Sequence, residues 1–307
     1  MNELREPRFI QTHRGDQAAL RAEAIDGLMR ERAAISPKFF YDRLGSQLFD
    51  AITLLDEYYP TRTEASILRE QRQAIAKAIG TGSTLLDLGA GNCAKAMSLF
   101  GALRPSRYVA IDISVDFLRE ALQRVQHQHP TLDVVGLGLD FSRALDVPDT
   151  LRSSRPVFFY PGSSIGNFCA EDAERLLASI HQQCAGGGLL IGVDLLKPLD
   201  VLQAAYDDAL GVTAAFNRNA LRQLNRLIGS NFAPAQWRHV ATFNNARSCM
   251  EMHLEAAGDQ WVQWAGGERR FAAGERIHTE CSHKYTLGDF EALLRRAGFR
   301  ELRHWTD

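Results

Sequence analysis

No stretch of this chain approaches the roughly 20 consecutive apolar residues that a membrane-spanning helix requires. Its first residues, MNELREPRFI, are polar and acidic, which does not read as a secretory signal, so a cytoplasmic protein is expected. A basic excess is also missing. The formal charge is −2, which argues against a broad nucleic-acid surface. The five cysteines (Cys93, Cys169, Cys184, Cys249 and Cys281) are scattered and form no CxxC pair, so they read as reduced thiols. With no HExxH among the histidines, no metal is expected. No phosphate-binding GxxxxGK[ST] loop, internal repeat or low-complexity tract is present. What remains is 307 residues, 45% hydrophobic and 23% charged, enough for one large soluble domain or two.

Aromatics are dense in one place. Between Ser36 and Leu68 lie Phe39, Phe40, Tyr41, Phe49, Tyr58 and Tyr59, more than a solvated linker would carry, so this segment packs on something. Residues 1 to about 30 read as charged and helix-prone, with Leu20, Ile25 and Leu28 on a loose apolar face. Ser46 is a candidate cap for a helix carrying Leu48, Phe49, Ile52 and Leu55; Thr61 or Thr63 is a candidate cap for another through Leu68 toward Ile79.

From residue 84 a strand–helix alternation is readable. Its strand-bearing stretches are TLLDLGAG, RYVAIDIS (Arg107–Ser114), LDVVGLGLDF (Leu132–Phe141), RPVFFYPGSSIGNF (Arg155–Phe168) and GGGLLIGVDLL (Gly186–Leu196), separated by helix-like or short connections. Five near-continuous apolar strands predict a doubly wound, mostly parallel α/β sheet covered on both faces. The rhythm breaks after Asp194. Residues 200–235 read as helical and 236–285 as strands with turns, a second, mixed α+β block that joins the aromatic segment as a cap. TLGDFEALLRRAGFRELRHWTD then returns to a helix and one strand, with Gly298 as the residue after the helix. The expected organisation is therefore 1–75 with the cap, 76–198 core, 199–285 cap insertion, and 286–307 core again.

In such a sheet, ligands bind beyond the carboxyl ends of the strands, near the point where strand order reverses. Gly89 and Gly91 make the first turn, and Asp112 ends the second strand 23 residues after Gly89. An acid there accepts hydrogen bonds from ribose hydroxyls, unless it is an ordinary strand-end aspartate. Asp140 and Phe141 end the third strand, where a carboxylate meets an adenine amino group and a ring covers the base; a turn Asp beside a buried Phe is the plainer reading. A dinucleotide site wants a third glycine for close approach of the pyrophosphate. Asn92-Cys93-Ala94 supplies none. The D-L-G-x-G pattern suits S-adenosylmethionine, whose sulfonium and amino-acid tail carry no phosphate.

Four stretches, SPKFFYDRLGSQLFDAITLLDEYYPTR, DLGAGN, FFYPGSSIGNF and IHTECSHKY, together resemble the histidine Nα-methyltransferases of ergothioneine biosynthesis, over about Ser36 to Tyr285. The resemblance implies a Rossmann-like class I methyltransferase fold with a substrate-binding cap. It implies S-adenosylmethionine-dependent trimethylation of the α-amine of L-histidine to hercynine, releasing S-adenosylhomocysteine. It further implies that Tyr58, Gly162, Asn167 and Tyr206 hold the amino acid's carboxylate and amine, and that Glu280 and Ser282 face the imidazole nitrogens. Met252 and Phe49 would be apolar walls, and Tyr41, Gly89, Lys95, Asp112, Asp140 and Phe141 cofactor contacts. Tyr41 or Tyr206 would assist loss of the amine proton, and most of the acceleration would come from alignment. The protein is expected to be a monomer acting on a small molecule.

Two departures accompany the resemblance. The turn reads GAGNCAK where the family often has GSGTSEK, and the chain stops at WTD where this fold normally adds a reversed strand. Either the chain is truncated or the sheet closes differently. Alternatives are an N-methyltransferase of another amino acid such as tryptophan, a catalytically silent nucleotide-binding module, and a dinucleotide oxidoreductase.

Overall fold

The computed structural model describes residues 5–11, 17–152, 155–184 and 186–307. Two compact units emerge. The first comprises Pro60–Leu195 and Tyr285–Asp307 together with strand β1 (Arg8–Gln11); the second comprises residues 17–59 and Leu196–Lys284.

The first unit is built on a six-stranded sheet, in the order β1-β4-β3-β2-β5-β6, every neighbouring pair parallel. Its strands are β2 (Thr84–Leu88), β3 (Arg107–Asp112), β4 (Asp133–Gly138), β5 (Val157–Tyr160) and β6 (Gly188–Ile191), with β1 at the edge beside β4. Side chains alternate between two cores, as the pleat requires. Leu86, Leu88, Val109, Ile111, Val135, Phe158 and Tyr160 face α6 (Ala170–Gln183) and α9 (Leu287–Arg296). Leu85, Tyr108, Ala110, Val134 and Phe159 face α3 (Tyr59–Ile79), α4 (Ala94–Leu103) and α5 (Val115–Gln128). Order reverses between β2 and β5, so the carboxyl ends of these strands mark the expected crevice.

In the second unit, α1 (Gln17–Met29), a 3-10 turn at Pro37–Phe40, α2 (Arg43–Ile52), α7 (Leu199–Tyr206) and α8 (Val212–Ile228) share one core with the strands. Three of these, β7 (Trp237–Asn244), β8 (Cys249–Ala256) and β11 (Arg276–His283), form an antiparallel sheet ordered β11-β8-β7. The others, β9 (Gln260–Trp264) and β10 (Gly267–Phe271), form a hairpin. Phe39 and Phe40 of the aromatic segment sit in the same core as Phe216 of α8 and Met250 and Met252 of β8.

Several local expectations change. Residues 8–11 are a strand, too short and too exposed for alternation to show. The cap of α2 is Asp42, which accepts the Gly45 N–H at 2.7 Å; Ser46 lies inside the helix. The next helix, α3, already begins at Tyr59, ahead of both threonines. Leu68, Ile75 and Ala76 of α3 lie in the same apolar cluster as the sheet, so the first unit starts at Pro60 rather than near residue 76. No strand forms after α9. Gly298 ends that helix at φ +107, and Trp305 packs as a single ring on the α3–α5 core in an otherwise irregular tail.

Candidate active site

The first unit's share is built around the turn after β2. Gly89 (φ +70) and Gly91 (φ +51) adopt the left-handed backbone that side chains disfavour. A Cβ on Gly89 would lie 3.9 Å from Cζ of Phe141, so the glycine turn and the end of β4 come together. The Gly91 N–H donates to Asp112 Oδ2 at 2.9 Å and the Ser114 N–H to Oδ1 at 2.8 Å. One amide on each oxygen fixes this carboxylate and leaves lone pairs for a diol. Burial pushes the Asp112 carboxyl up from its usual range, and those amides pull it back. Phe141 stands edge-on to Tyr160, with centroids 5.7 Å apart. Asp140 is buried and accepts the Ser142 N–H at 3.2 Å as well as the Ser142 hydroxyl.

Beneath the turn lies a charge set that sequence reading did not assemble. Asp87 of β2 is buried against Tyr108, whose hydroxyl donates to it at 2.7 Å. Burial raises the Asp87 carboxyl to about 7; the nearby Asp112 and Glu64 add to the rise and Lys95 opposes it. Glu64 of α3 pairs with Lys95 at 2.5 Å and accepts the Gly162 N–H at 2.7 Å. A Cβ on Gly162 would lie 3.1 Å from the Lys95 ammonium. Two further carboxyls, Asp112 and Glu64, and one ammonium, Lys95, thus act on the Asp87 carboxyl. Such a set repels a pyrophosphate and suits a ligand with positive charge, such as a sulfonium with an amino-acid ammonium. The residues present therefore fit S-adenosylmethionine. Asn167 closes the short 3-10 turn Ser164–Asn167 that follows β5, and α6 begins shortly after it, with Cys169 at the N-cap position.

The remaining predicted residues belong to the second unit, in two groups. The first is polar. A bulge between His278 and Glu280 resets the β11 register, so Glu280 stands opposite Met252 and Ser282 opposite Met250. Glu280, Ser282, Met252, Tyr206 and Lys284 are all buried. The Tyr206 hydroxyl donates to Ser282 Oγ at 2.7 Å, and the Lys284 ammonium donates to Tyr206 at 2.9 Å and to Ser282 at 3.1 Å. With Ser282 Oγ accepting twice, its own proton is left to donate. Burial raises the Glu280 carboxyl to about 7, with Lys284 pulling it down. The second group is aromatic: Tyr41 lies 5.9 Å from Phe49, Phe49 lies 6.2 Å from Tyr58, and Phe216 touches both Tyr41 and Phe49.

Three residues escaped the sequence reading: Glu64, Phe216 and Lys284. Lys284 was within reach, because period-two alternation puts 280, 282 and 284 on one strand face. Glu64 sits on a helix face whose partner, Gly162, is 98 residues away, and no local signal marks it.

A sequence profile described as histidine-specific, S-adenosylmethionine-dependent methyltransferase matches residues 20–307. The chain is 38% identical to a histidine N-alpha-methyltransferase of Mycobacterium tuberculosis, over 97% of this chain and 95% of that one. A histidine N-alpha-methyltransferase of Mycolicibacterium smegmatis is also 38% identical, over 94% and 91%. More distantly, a 4-dimethylallyltryptophan N-methyltransferase of Claviceps purpurea is 24% identical over 94% and 92%.

Proposed function

We propose, from the premise that this chain belongs to the histidine-specific, S-adenosylmethionine-dependent methyltransferase family, that it methylates the α-amine of L-histidine and carries the amine on to the trimethylated product, hercynine. The single observation that carries the choice of substrate is a buried carboxyl and a buried hydroxyl, Glu280 and Ser282, two residues apart on one strand face.

That spacing, roughly 6–7 Å along a strand, matches a ring read at both nitrogens. Glu280 accepts the imidazole N–H, and Ser282, whose oxygen already accepts from Tyr206 and Lys284, donates to the other nitrogen. The Lys284 ammonium holds the hydroxyl pair in one orientation and favours the ionised form of Glu280. Met252, opposite Glu280, supplies an apolar wall, with Phe49 as another. Tyr58, Tyr206, Gly162 and Asn167 are assigned to the amino acid's carboxylate and amine. The Gly162 N–H is already given to Glu64, so that glycine's contribution is room rather than a donor.

The assignment in the first unit is to the methyl donor. Asp112 takes the ribose hydroxyls, Asp140 and Phe141 the adenine, and Gly89 and Lys95 the amino-acid tail; Tyr41 is also assigned to the donor. When bound, S-adenosylmethionine supplies a methyl group on a sulfonium, an electrophile that a neutral amine meets with little acid–base help. What the chain must do is hold the amine deprotonated and oriented. Tyr206 and Tyr41 are the assigned hydrogen-bond acceptors for it.

The test is Glu280→Ala. A site built to pair an N–H leaves that group unsatisfied once its acceptor is removed. kcat/KM for histidine is expected to fall by roughly 100-fold or more, while calorimetric binding of S-adenosylhomocysteine stays unchanged. An unaltered kcat/KM for histidine would remove Glu280 from the substrate site.

A further inference from the structure

The β8–β11 ladder carries a second chemistry on the face opposite Glu280 and Ser282. Register pairs Cys249 with His283 and Glu251 with Cys281, so four donor side chains occupy two adjacent rungs of one face. The thiol sulfurs of Cys249 and Cys281 and a ring nitrogen of His283 all lie within 4.8 Å of one another. Both cysteines are buried and His283 is half-buried, which leaves an entry path from solvent. Sequence spacing hid this set, because its members come from two strands more than 30 residues apart.

We propose that Cys249, Cys281 and His283 bind one thiophilic divalent cation, zinc being the chemical type, with the Glu251 carboxylate as fourth ligand. Two thiolates, an imidazole and a carboxylate form a closed tetrahedral donor set of the structural kind. The imidazole is already oriented for it. His283 Nδ1 sits 3.0 Å from the Arg247 carbonyl and so carries the proton, which leaves the Nε2 lone pair directed at Cys281 Sγ, 3.6 Å away. A ligand histidine is commonly fixed by such a backbone carbonyl. Glu251 is held at the site by Asn244 (2.9 Å) and Arg247 (3.3 Å), and its Oε1 lies 3.9 Å from Cys249 Sγ.

The two sulfurs are 2.7 Å apart, inside van der Waals contact. Tetrahedral coordination with bonds near 2.3 Å would space them at about 3.8 Å, a small opening of the two rotamers. A disulfide is disfavoured by placement: Cys281 faces Glu251, so the cysteines are diagonal rather than opposite. Diagonal neighbours have Cα atoms about 7–8 Å apart, beyond the usual disulfide span of about 4.4–6.8 Å. Binding releases the two thiol protons to solvent and ties β8 to β11 behind the strand face that carries Glu280.

The experiment is a titration of the full-length protein, reduced with a phosphine and freed of metal, with Co(II), followed by displacement with Zn(II). Expected are one equivalent of Co(II), a thiolate-to-cobalt charge-transfer band with intense tetrahedral d–d bands, and loss of both on adding Zn(II). Cys249→Ser and Cys281→Ser should each abolish the charge-transfer band or weaken binding at least 100-fold, and Cys169→Ser should leave it intact. As a second readout, a chelator should lower the Tm of the zinc-loaded wild type and leave that of Cys281→Ser unmoved. Absence of a charge-transfer band overturns the proposal, as does its survival in both ladder variants. So does a reduced protein that takes up no cobalt but closes a Cys249–Cys281 disulfide under hydrogen peroxide.

Discussion

The two units hold a partly desolvated carboxylate by different means. In the first, Asp112 is fixed by two backbone amides, Gly91 and Ser114, both supplied by the turns beside it. In the second, no backbone amide among the described residues bonds the Glu280 carboxyl, and what tempers its burial is the Lys284 ammonium. Backbone amides cannot be mutated away or titrated, so the first arrangement is robust and suits a ligand common to a whole enzyme class. Side-chain partners can be exchanged one at a time, which suits the part of the molecule assigned to substrate choice.

That contrast can be broken experimentally. The largest effect is expected for Asp112→Ala, which removes the carboxylate proposed to accept the ribose hydroxyls and orphans the Gly91 and Ser114 amides. Hydrogen bonds to a charged group are worth about 1.5–3 kcal/mol each, so S-adenosylhomocysteine affinity should weaken by roughly 100-fold. Isothermal titration reads this directly; an unchanged Kd would mean that Asp112 only shapes the turn.

Next comes pH. The Glu280 carboxyl rises from 4.5 to about 7 on folding, so between those values the folded state binds more protons than the unfolded one. Stability from this group is therefore greatest at low pH and falls as pH rises toward 7. Glu280→Gln removes that slope. Relative to wild type, the variant should gain about 2–3 kcal/mol between pH 5 and pH 8. Denaturant unfolding at the two pH values checks it, and a constant difference between the proteins would contradict a buried, protonated Glu280. In the opposite direction to stability, kcat/KM of the wild type for histidine should climb as pH rises through about 7, where Glu280 ionises.

The smallest effect is expected for Lys284→Met. Losing the ammonium raises the Glu280 carboxyl further and frees Tyr206 and Ser282 to rotate. A loss of about 10-fold in kcat/KM for histidine, with the pH limb moved upward, is the anticipated result, on the order of 1.4 kcal/mol. A pH profile identical to wild type would separate Lys284 from Glu280.

How much of this was legible in the chain follows from the range of the interactions. The five central strands could be read because each is a short apolar run closed by a turn, a local signal. The edge strand at Arg8–Gln11 could not, since its only mark is its pairing with β4. Asp42 replaced Ser46 as a cap because a cap is chosen by where the preceding 3-10 turn stops, not by residue type alone. In the candidate site, the glycines and Asp112 were visible from motif and spacing. Glu64 and Phe216 were not, because each acts through partners far away in sequence.

The sequence by itself determined the doubly wound sheet, the glycine turn with its strand-end acids, and membership of the family. All three rest on local periodicity or on contiguous motifs. Only the tertiary structure decided which charges gather beneath the turn and which hydroxyls and ammonium accompany Glu280. It also decided that two cysteines, a histidine and a glutamate share one face of the ladder behind it. Those are products of strand register and helix packing, and a single-residue slip of β11 against β8 would send Glu280, Ser282 and Cys281 each to the opposite face.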